Sequence, residues 1–476
     1  MSAPPAELER AVETPRTSPI SVVPLLRRLH FYAGVLVGPF LVVAAVTGML
    51  YAFAPQIDDV LYGDKLWVEQ ASGPVRPVSD QVAAAQASLP DGTVTAVQVF
   101  DDPEATTRVV FSAPGLAEEY SKTVYVNPYT AEVRGELTTW AGATPAVTWL
   151  DQLHRDLHLG LVGNLYSELA ASWLWVLSLV GLVLWIARRR TARRRVRALL
   201  VPEKGAKGVR KSRSWHASIG VWALVGALFL SATGLTWSNY AGENFTAVLT
   251  ALNAKAPALD TALPGAAPTG TAPSEHSEHT GTAGSAAPVD PATFDRVLAA
   301  GRGAGLDGPV ELSPAAAPGA AWSVAQTDQT WPIRQDKAAV DPSTGNVTAR
   351  ADFSDRPFLA QLSSVGILAH MGLLFGLANQ IALLLLAAAI LTLIFFGYRM
   401  WWQRRPTRSD RSAPFGTAPK RGGWQQLPLW FVIPAPLVMI AIGIAIPLLG
   451  ISLVAFLVLD GVIGLVRARR SESHIR

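Results

Sequence analysis

Cysteine is absent from the 476 residues. That excludes disulfides, thiolate-held iron–sulfur clusters and haem attached through C-x-x-C-H. Any redox cofactor is therefore held without cysteine sulfur. Charge is scarce too, at 16% of residues, and the net charge of +4 says little because the basic residues cluster. The first twenty residues lack the apolar core of a cleaved signal peptide, so the first apolar segment is expected to stay as a helix.

What the chain has is apolar runs. Half of its residues are hydrophobic and the mean hydropathy is +0.27. Runs of about twenty apolar residues, the length a helix needs to cross a bilayer, recur at residues 29–53, 154–187, 215–239 and 361–400. A fifth block, 427–466, is interrupted by Pro434, Pro436, Pro447 and Gly450 and suits a hairpin of two spans. The expectation is a mainly α membrane protein, a bundle of about six transmembrane helices.

Charge orients these spans. Arg27 and Arg28 close the N-terminal segment 1–28, and the loop 188–214 holds twelve Lys/Arg against Glu203 alone. The segment 401–426 and the tail 467–476 are also basic. The positive-inside rule places all four, and both termini, in the cytoplasm. A basic loop between membrane helices speaks for topology rather than nucleic-acid binding.

Two longer segments then face outward. Residues 54–153 contain "TAVQVF", "TRVVFS" and "KTVYVNPYTAEV", which alternate as short strands do. Residues 240–360 begin with a linker at 254–291, rich in Ala, Pro, Gly, Ser and Thr, and continue with a helix start near Phe294 and strands at "AWSVAQ" and "KAAVDPSTGNV". Each reads as a small α+β module.

The pattern repeats. His30, Gly34 and Thr47-Gly48 are spaced as His216, Gly220 and Thr233-Gly234. "VYVNPYTAEV" matches "AAVDPSTGNV", and "HLGLVG" at His158 matches "HMGLLFG" at His370. The expectation is an internal duplication of residues 21–200 and 207–405, with the last hairpin outside it.

The repeat places His30 and His216 at the cytoplasmic starts of two spans, and His158 and His370 at outer starts. A helix rises about 1.5 Å per residue, so His158 lies about 45 Å from Arg188. Ionisable residues in membranes mark functional sites. Neutral imidazole is the usual axial ligand of haem iron. One histidine from each half at each depth suits two b-type haems, with Gly34 and Gly220 leaving room for a porphyrin or for close helix contact.

His154, a turn before His158, offers a rival: two imidazoles at i, i+4 can bind Zn²⁺ or Cu²⁺. The Glu of H-E-x-x-H is missing there, which speaks against a zinc protease. His276, His279 and His474 read as solvated. Trp173, Trp175, Trp185, Trp222, Trp237, Trp401 and Trp402 read mainly as interfacial anchors. Glu168 and Asp460 are the carboxylates nearest the bilayer, and Glu168 is a candidate for proton balance at an outer site.

These motifs in order, "LHFYAG…VTG", "WHASIG…ATG", "LHRDLHLG", "AHMGLLFG" and "VYVNPYTAEV", resemble the PepSY-associated transmembrane proteins. That family includes iron-regulated membrane proteins similar to haem-containing ferric-siderophore reductases of the bacterial inner membrane. The resemblance implies two extracytoplasmic PepSY-like modules and two b-type haems. The implied axial iron ligands are His30, His216, His370 and one or both of His154 and His158. The family's pattern favours His154 and the repeat His158, which is the expected ligand. It further implies a ferric-reductase-like oxidoreductase passing electrons to a ferric-siderophore or other extracytoplasmic acceptor. With no flavin or nicotinamide domain in the chain, the donor is a separate flavoprotein or a membrane quinol. The alternative is a non-redox, membrane-anchored PepSY protein that binds or regulates an outside partner or handles copper.

Overall fold

The computed structural model describes residues 22–69, 73–117, 119–190, 197–263, 289–315, 317, 319–404 and 434–473. His276, His279, His474, most of the linker and the first twenty residues lie outside the described residues. The chain runs α1 (Val23–Ala52), α2 (Ala54–Leu66), α3 (Val78–Ser88), β1 (Thr93–Val99), β2 (Thr107–Ser112), β3 (Tyr120–Val126), β4 (Val133–Trp140), α4 (Pro145–Asp156) and α5 (Leu161–Arg190). It continues with α6 (Arg197–Leu200), α7 (Gly208–Thr236), α8 (Asn239–Ala251), α9 (Ala292–Gly303), β5 (Val310–Ser313), β6 (Trp322–Gln326), β7 (Lys337–Val340) and β8 (Val347–Ala351). Last come α10 (Phe358–Met371), α11 (Leu377–Gln403), α12 (Pro434–Ala445) and α13 (Pro447–Ser473).

Four helices among the described residues are long and apolar enough to cross a membrane: α1, α5, α7 and α11. The final block of the expected six spans, 427–466, is described only in part and is not among these four. The final hairpin is described from residue 434 onward, with α12 at Pro434–Ala445 and α13 beginning at Pro447. α1 and α7 begin before the apolar runs do, so His30 and His216 sit about two turns inside their helices.

The expected continuous helices at 154–187 and 361–400 are each broken. α4 stops at Asp156, and Leu157 and His158 take left-handed backbone at φ 55° and 57°. Asp156 Oδ1 accepts the His158 amide at 2.9 Å and holds that turn. Gly163 is required where the chain folds back, since a Cβ there would sit 1.6 Å from the Asp156 carbonyl oxygen. α10 stops at Gly372, left-handed at φ 84°, with the Leu373 amide returning to the Leu368 carbonyl. That is the Schellman closure that glycine favours.

The two α+β modules share one antiparallel sheet of order β4-β3-β2-β1-β5-β6-β7-β8. β1 joins β5 through Val97–Leu312 and Val99–Val310. Alternation puts Val97, Val109, Phe111, Val124, Leu312 and Val324 on one face. α3 and α9 cover that face with Val82, Phe294 and Val297, all fully buried. The turns "NPYTA" and "DPSTG" close β3–β4 and β7–β8 alike: Asn127 Oδ1 accepts the Tyr129 amide at 2.9 Å, and Asp341 Oδ1 accepts the Ser343 amide at 2.8 Å. The sheet meets the membrane helices through α2 and α4, which pack on β4, and through Trp331, whose amide donates to the Leu374 carbonyl at 2.8 Å.

Within the bundle, several polar groups find partners on other helices. Pro39 lies inside α1 and has no N–H to give the Val35 carbonyl. The Tyr398 hydroxyl of α11 donates to that carbonyl instead, at 2.7 Å, and Gly38 makes the room: a Cβ there would meet the hydroxyl at 2.9 Å. Arg28 and Asp460 form a buried ion pair that ties α1 to α13. Glu168 of α5 is 1% exposed, and its two oxygens accept the Tyr240 and Ala241 amides at 3.1 Å each. It thus caps the positive end of α8, which has no side-chain cap of its own.

Tyr398→Phe should lower stability by about 1–3 kcal/mol, because the Val35 carbonyl loses its donor where water cannot replace it. A thermal melt of the detergent-solubilised protein reads this, and an unchanged midpoint would contradict it. Glu168→Ala should cost a similar amount. Hydrogen exchange should then accelerate at the first amides of α8 and stay unchanged in the sheet.

Candidate functional site

Two pairs of histidines meet between the membrane helices. His30 on α1 faces His216 on α7, with ring centroids 6.1 Å apart and planes at 86°. His154, in the last turn of α4, faces His370, in the last turn of α10, at 6.4 Å and 50°. From His30 to Thr47, which touches His154, α1 rises about 25 Å, so the pairs sit near opposite ends of the bundle.

The hydrogen bonds fix the imidazole tautomers. Thr47 Oγ1 lies 3.0 Å from His154 Nδ1 and also donates to the Val43 carbonyl at 2.9 Å. A hydroxyl has one proton. With it committed to a carbonyl, the oxygen accepts from Nδ1–H. Thr233 repeats the arrangement: 2.6 Å to His370 Nδ1, with its proton on the Phe229 carbonyl at 2.8 Å. His216 Nδ1 lies 2.9 Å from the Leu393 carbonyl, which only accepts. In all three rings Nδ1 carries the hydrogen and Nε2 keeps its lone pair, the state in which imidazole ligates metal. The Leu177 carbonyl lies beside His30, but short of hydrogen-bond geometry, and His30 Nδ1 is buried without a partner.

A glycine faces each ring. Cβ atoms at Gly181 and Gly48 would approach His30 and His154 Cε1 to 3.1 and 3.0 Å; at Gly397 and Gly234 they would approach His216 and His370 Cε1 to 3.9 and 3.8 Å. Gly34 and Gly220, one turn after the inner histidines, border open room: a Cβ at Gly34 would meet nothing within 4 Å, and one at Gly220 only Leu393 at 3.6 Å. Gly181 and Gly397 escaped the sequence reading, although both lie 27 residues after His154 and His370.

His158 is not placed as the repeat suggested. The break at Leu157 turns it out of α4, so it is exposed and packs on Trp149 with centroids 5.2 Å apart. The residue opposite His370 is His154. The two are therefore not neighbours on one helix face, and the paired-imidazole zinc or copper geometry is not formed. No cluster of three or more His, Cys, Asp or Glu side chains suited to a metal ion occurs among the described residues.

Around His154 and His370, Tyr51 stacks on His154 at 6.4 Å and 16°. Arg155 lies over the Trp140 ring at 5.3 Å and 3.8 Å from Asp151. Thr144 caps α4 by accepting the Val147 amide at 3.3 Å and donates to Asp58 Oδ1 at 2.6 Å, fixing α4 to α2. Burial raises the Asp58 carboxyl, and the Thr144 bond opposes it. Under the sheet, burial lowers Arg108 and pushes the Tyr125 hydroxyl up to about 12. Glu168, capping α8, is engaged by backbone amides rather than by the outer pair.

No curated protein matches the chain. The model of the PepSY-associated TM region matches residues 27–404, from just before His30 to the end of α11. With both histidine pairs and the sheet inside that match, the chain belongs to the PepSY-associated TM region family.

Proposed function

We propose that this protein carries electrons across the membrane through two b-type haems, the inner on His30 and His216 and the outer on His154 and His370. The observation that carries the reading is the spacing of the two imidazole pairs. An imidazole nitrogen lies about 1.1 Å from its ring centroid and about 2 Å from a metal it ligates, so two imidazoles that would hold one iron between them would have centroids up to about 6 Å apart. The pairs here are at 6.1 and 6.4 Å.

The donor set supports haem over a bare ion. Each site offers two neutral imidazoles and no further Cys or carboxylate cluster among the described residues. Two axial ligands suffice where a porphyrin supplies the rest of the coordination. The glycines at the rings and the room beside Gly34 suit a flat macrocycle. When bound, haem supplies one-electron chemistry between ferric and ferrous iron. The chain's part is to hold each ring: Thr47, Thr233 and the Leu393 carbonyl set the tautomer and orientation, and the helices keep water away.

The repeat gives the two halves equivalent ligands, and the shared 27-residue spacing to Gly181 and Gly397 supports the duplication in the register that aligns His154 with His370. The basic loops support a cytoplasmic inner pair. Electrons would then leave at the outer face, under the sheet, where the family resemblance suggests a ferric-siderophore or similar acceptor.

Protein purified from haem-replete cells should show a dithionite-reducible Soret band and about two haems per chain. His30→Ala, His216→Ala, His154→Ala and His370→Ala should each remove about one. His158→Ala should keep both. A colourless wild type overturns the reading and leaves a non-redox membrane scaffold.

Thr47→Val with Thr233→Val should keep both haems and raise the outer midpoint potential by about 30–60 mV. Losing a hydrogen bond worth about 1 kcal/mol weakens the ligands and with them ferric iron. A redox titration in which the inner potential moves instead would reject these threonines as the positioning residues of the outer pair.

A further inference from the structure

Both halves of the chain carry arginine at two fixed distances from the inner pair. Arg27 and Arg213 stand three residues before His30 and His216, in "RRLH" and "RSWH". Arg188 and Arg404 stand seven residues after Gly181 and Gly397, the glycines beside those two rings. Three residues are about 4.5 Å of helix and seven about 10.5 Å, and seven are two turns, which return a residue to the same face. The four arginines thus lie on α1, α5, α7 and at the end of α11, all on the side of the rings that leads to the basic loops.

Contacts draw the four together. Ser212 Oγ donates to Gln403 Oε1 at 3.3 Å, so Arg213 and Arg404 follow two bonded residues. Phe31 and Trp401 meet with centroids 6.5 Å apart, one turn from Arg27 and Arg404, and Arg404 feels the charge of Arg27. Arg213 feels the charges of Arg188 and Arg404. Glu203 also acts on Arg213, but its two oxygens are engaged by Arg210 at 2.9 and 2.6 Å.

The positive-inside rule asks for basic loops and nothing finer. It does not ask for one arginine from each of four helices at repeated spacings. Gathering like charges at one mouth costs energy that an anion among them removes. Guanidinium is planar and always charged, and it pairs with carboxylate through two parallel bonds. A b-type haem carries two propionate carboxylates on one edge of its ring. An edge turned to this mouth places two anions where each half of the chain supplies two cations. Beside the other pair, Arg155 already has Asp151 at 3.8 Å.

We infer that Arg27, Arg188, Arg213 and Arg404 form the site for the two propionates of the inner haem. They are positioning residues: His30 and His216 hold the iron, and the arginines fix which edge of the ring faces the basic loops. Their charge also favours the ferrous state over the ferric. The occupant rests on the di-haem reading.

The test uses the full-length protein with His370→Ala, so that the inner pair alone is intact. It is made in haem-limited cells, placed in nanodiscs of phosphatidylcholine and phosphatidylglycerol, and titrated with haemin and with haemin dimethyl ester, whose propionates carry no charge. Arg27→Gln with Arg213→Gln should weaken haemin about 10–100-fold, through loss of charge-assisted hydrogen bonds, and leave the ester unchanged. Arg27→Lys with Arg213→Lys keeps the charge and should retain most of the affinity. In a redox titration the Gln pair should lower the midpoint potential of bound haemin and not that of the ester. Equal weakening of haemin and ester overturns the site. So does an arginine effect that vanishes in nanodiscs of phosphatidylcholine alone, which would assign these arginines to anionic lipid headgroups. Haemin that binds with an affinity untouched by the arginines or by esterification overturns this site alone. An unsubstituted chain that takes up no haemin overturns the di-haem reading and this site with it.

Discussion

A hydrogen-bonding group left unpaired in hydrocarbon is the constraint on which this structure turns. Water cannot repair it, so a polar atom in the bundle gains most when another chain segment answers it. Proline at position 39 strips a donor from α1, and Tyr398 on α11 returns one to Val35. The charge on Arg28 is met by Asp460, and the head of α8 by Glu168. None of these bonds is local, so each fixes how two helices sit together. The same rule applied to imidazole sets its chemistry. Once threonine and carbonyl acceptors hold Nδ1–H, the remaining nitrogen of His154, His370 and His216 has only its lone pair to offer.

The pair His154 and His370 depends on more than the membrane helices. His154 and His370 stand on α4 and α10, short helices that precede the spans proper. Their placement rests on contacts with the outer layer. Thr144 begins α4 and grips Asp58 on α2, while the Trp331 amide grips Leu374 just past α10. Fusing both modules into one eight-stranded sheet makes these two anchorages parts of one body, because β1 and β5 are hydrogen-bonded neighbours. The sheet therefore holds α4 and α10 in fixed relation, and with them the two rings.

Much of this was legible in the sequence. Apolar length marked α1, α5, α7 and α11, since a helix in lipid needs little but hydrophobicity. Alternation marked β1, β2, β3, β6 and β7, whose inward residues are mainly valine, with Phe111, Trp322 and Ala338. β4 was harder to read. "VRGELTTW" carries a glycine and two charges, and its burial comes from pairing with β3 and cover by α2 and α4. The union of the modules was not legible, because nothing in "AVQV" or "VELS" names the strand it will pair with.

The misplacement of His158 has the most instructive cause. "HLG" and "HMG" align by eye, and that alignment sets His158 against His370. It assumes that the helix carrying His154 continues through the motif, when two successive residues in left-handed backbone end it first. Leucine and histidine are poor markers of that conformation, so composition gives no warning, and only the Asp156 side chain bonded to the His158 amide hints at the turn. Spacing to a geometric partner is the better guide. Gly181 makes room for the His30 ring and Gly397 lies beside the His216 ring, so these two glycines, equidistant from His154 and His370, carry the register that the resemblance of short motifs obscures. In a bundle whose sites are built across helices, the residue that makes room is as informative as the residue that binds.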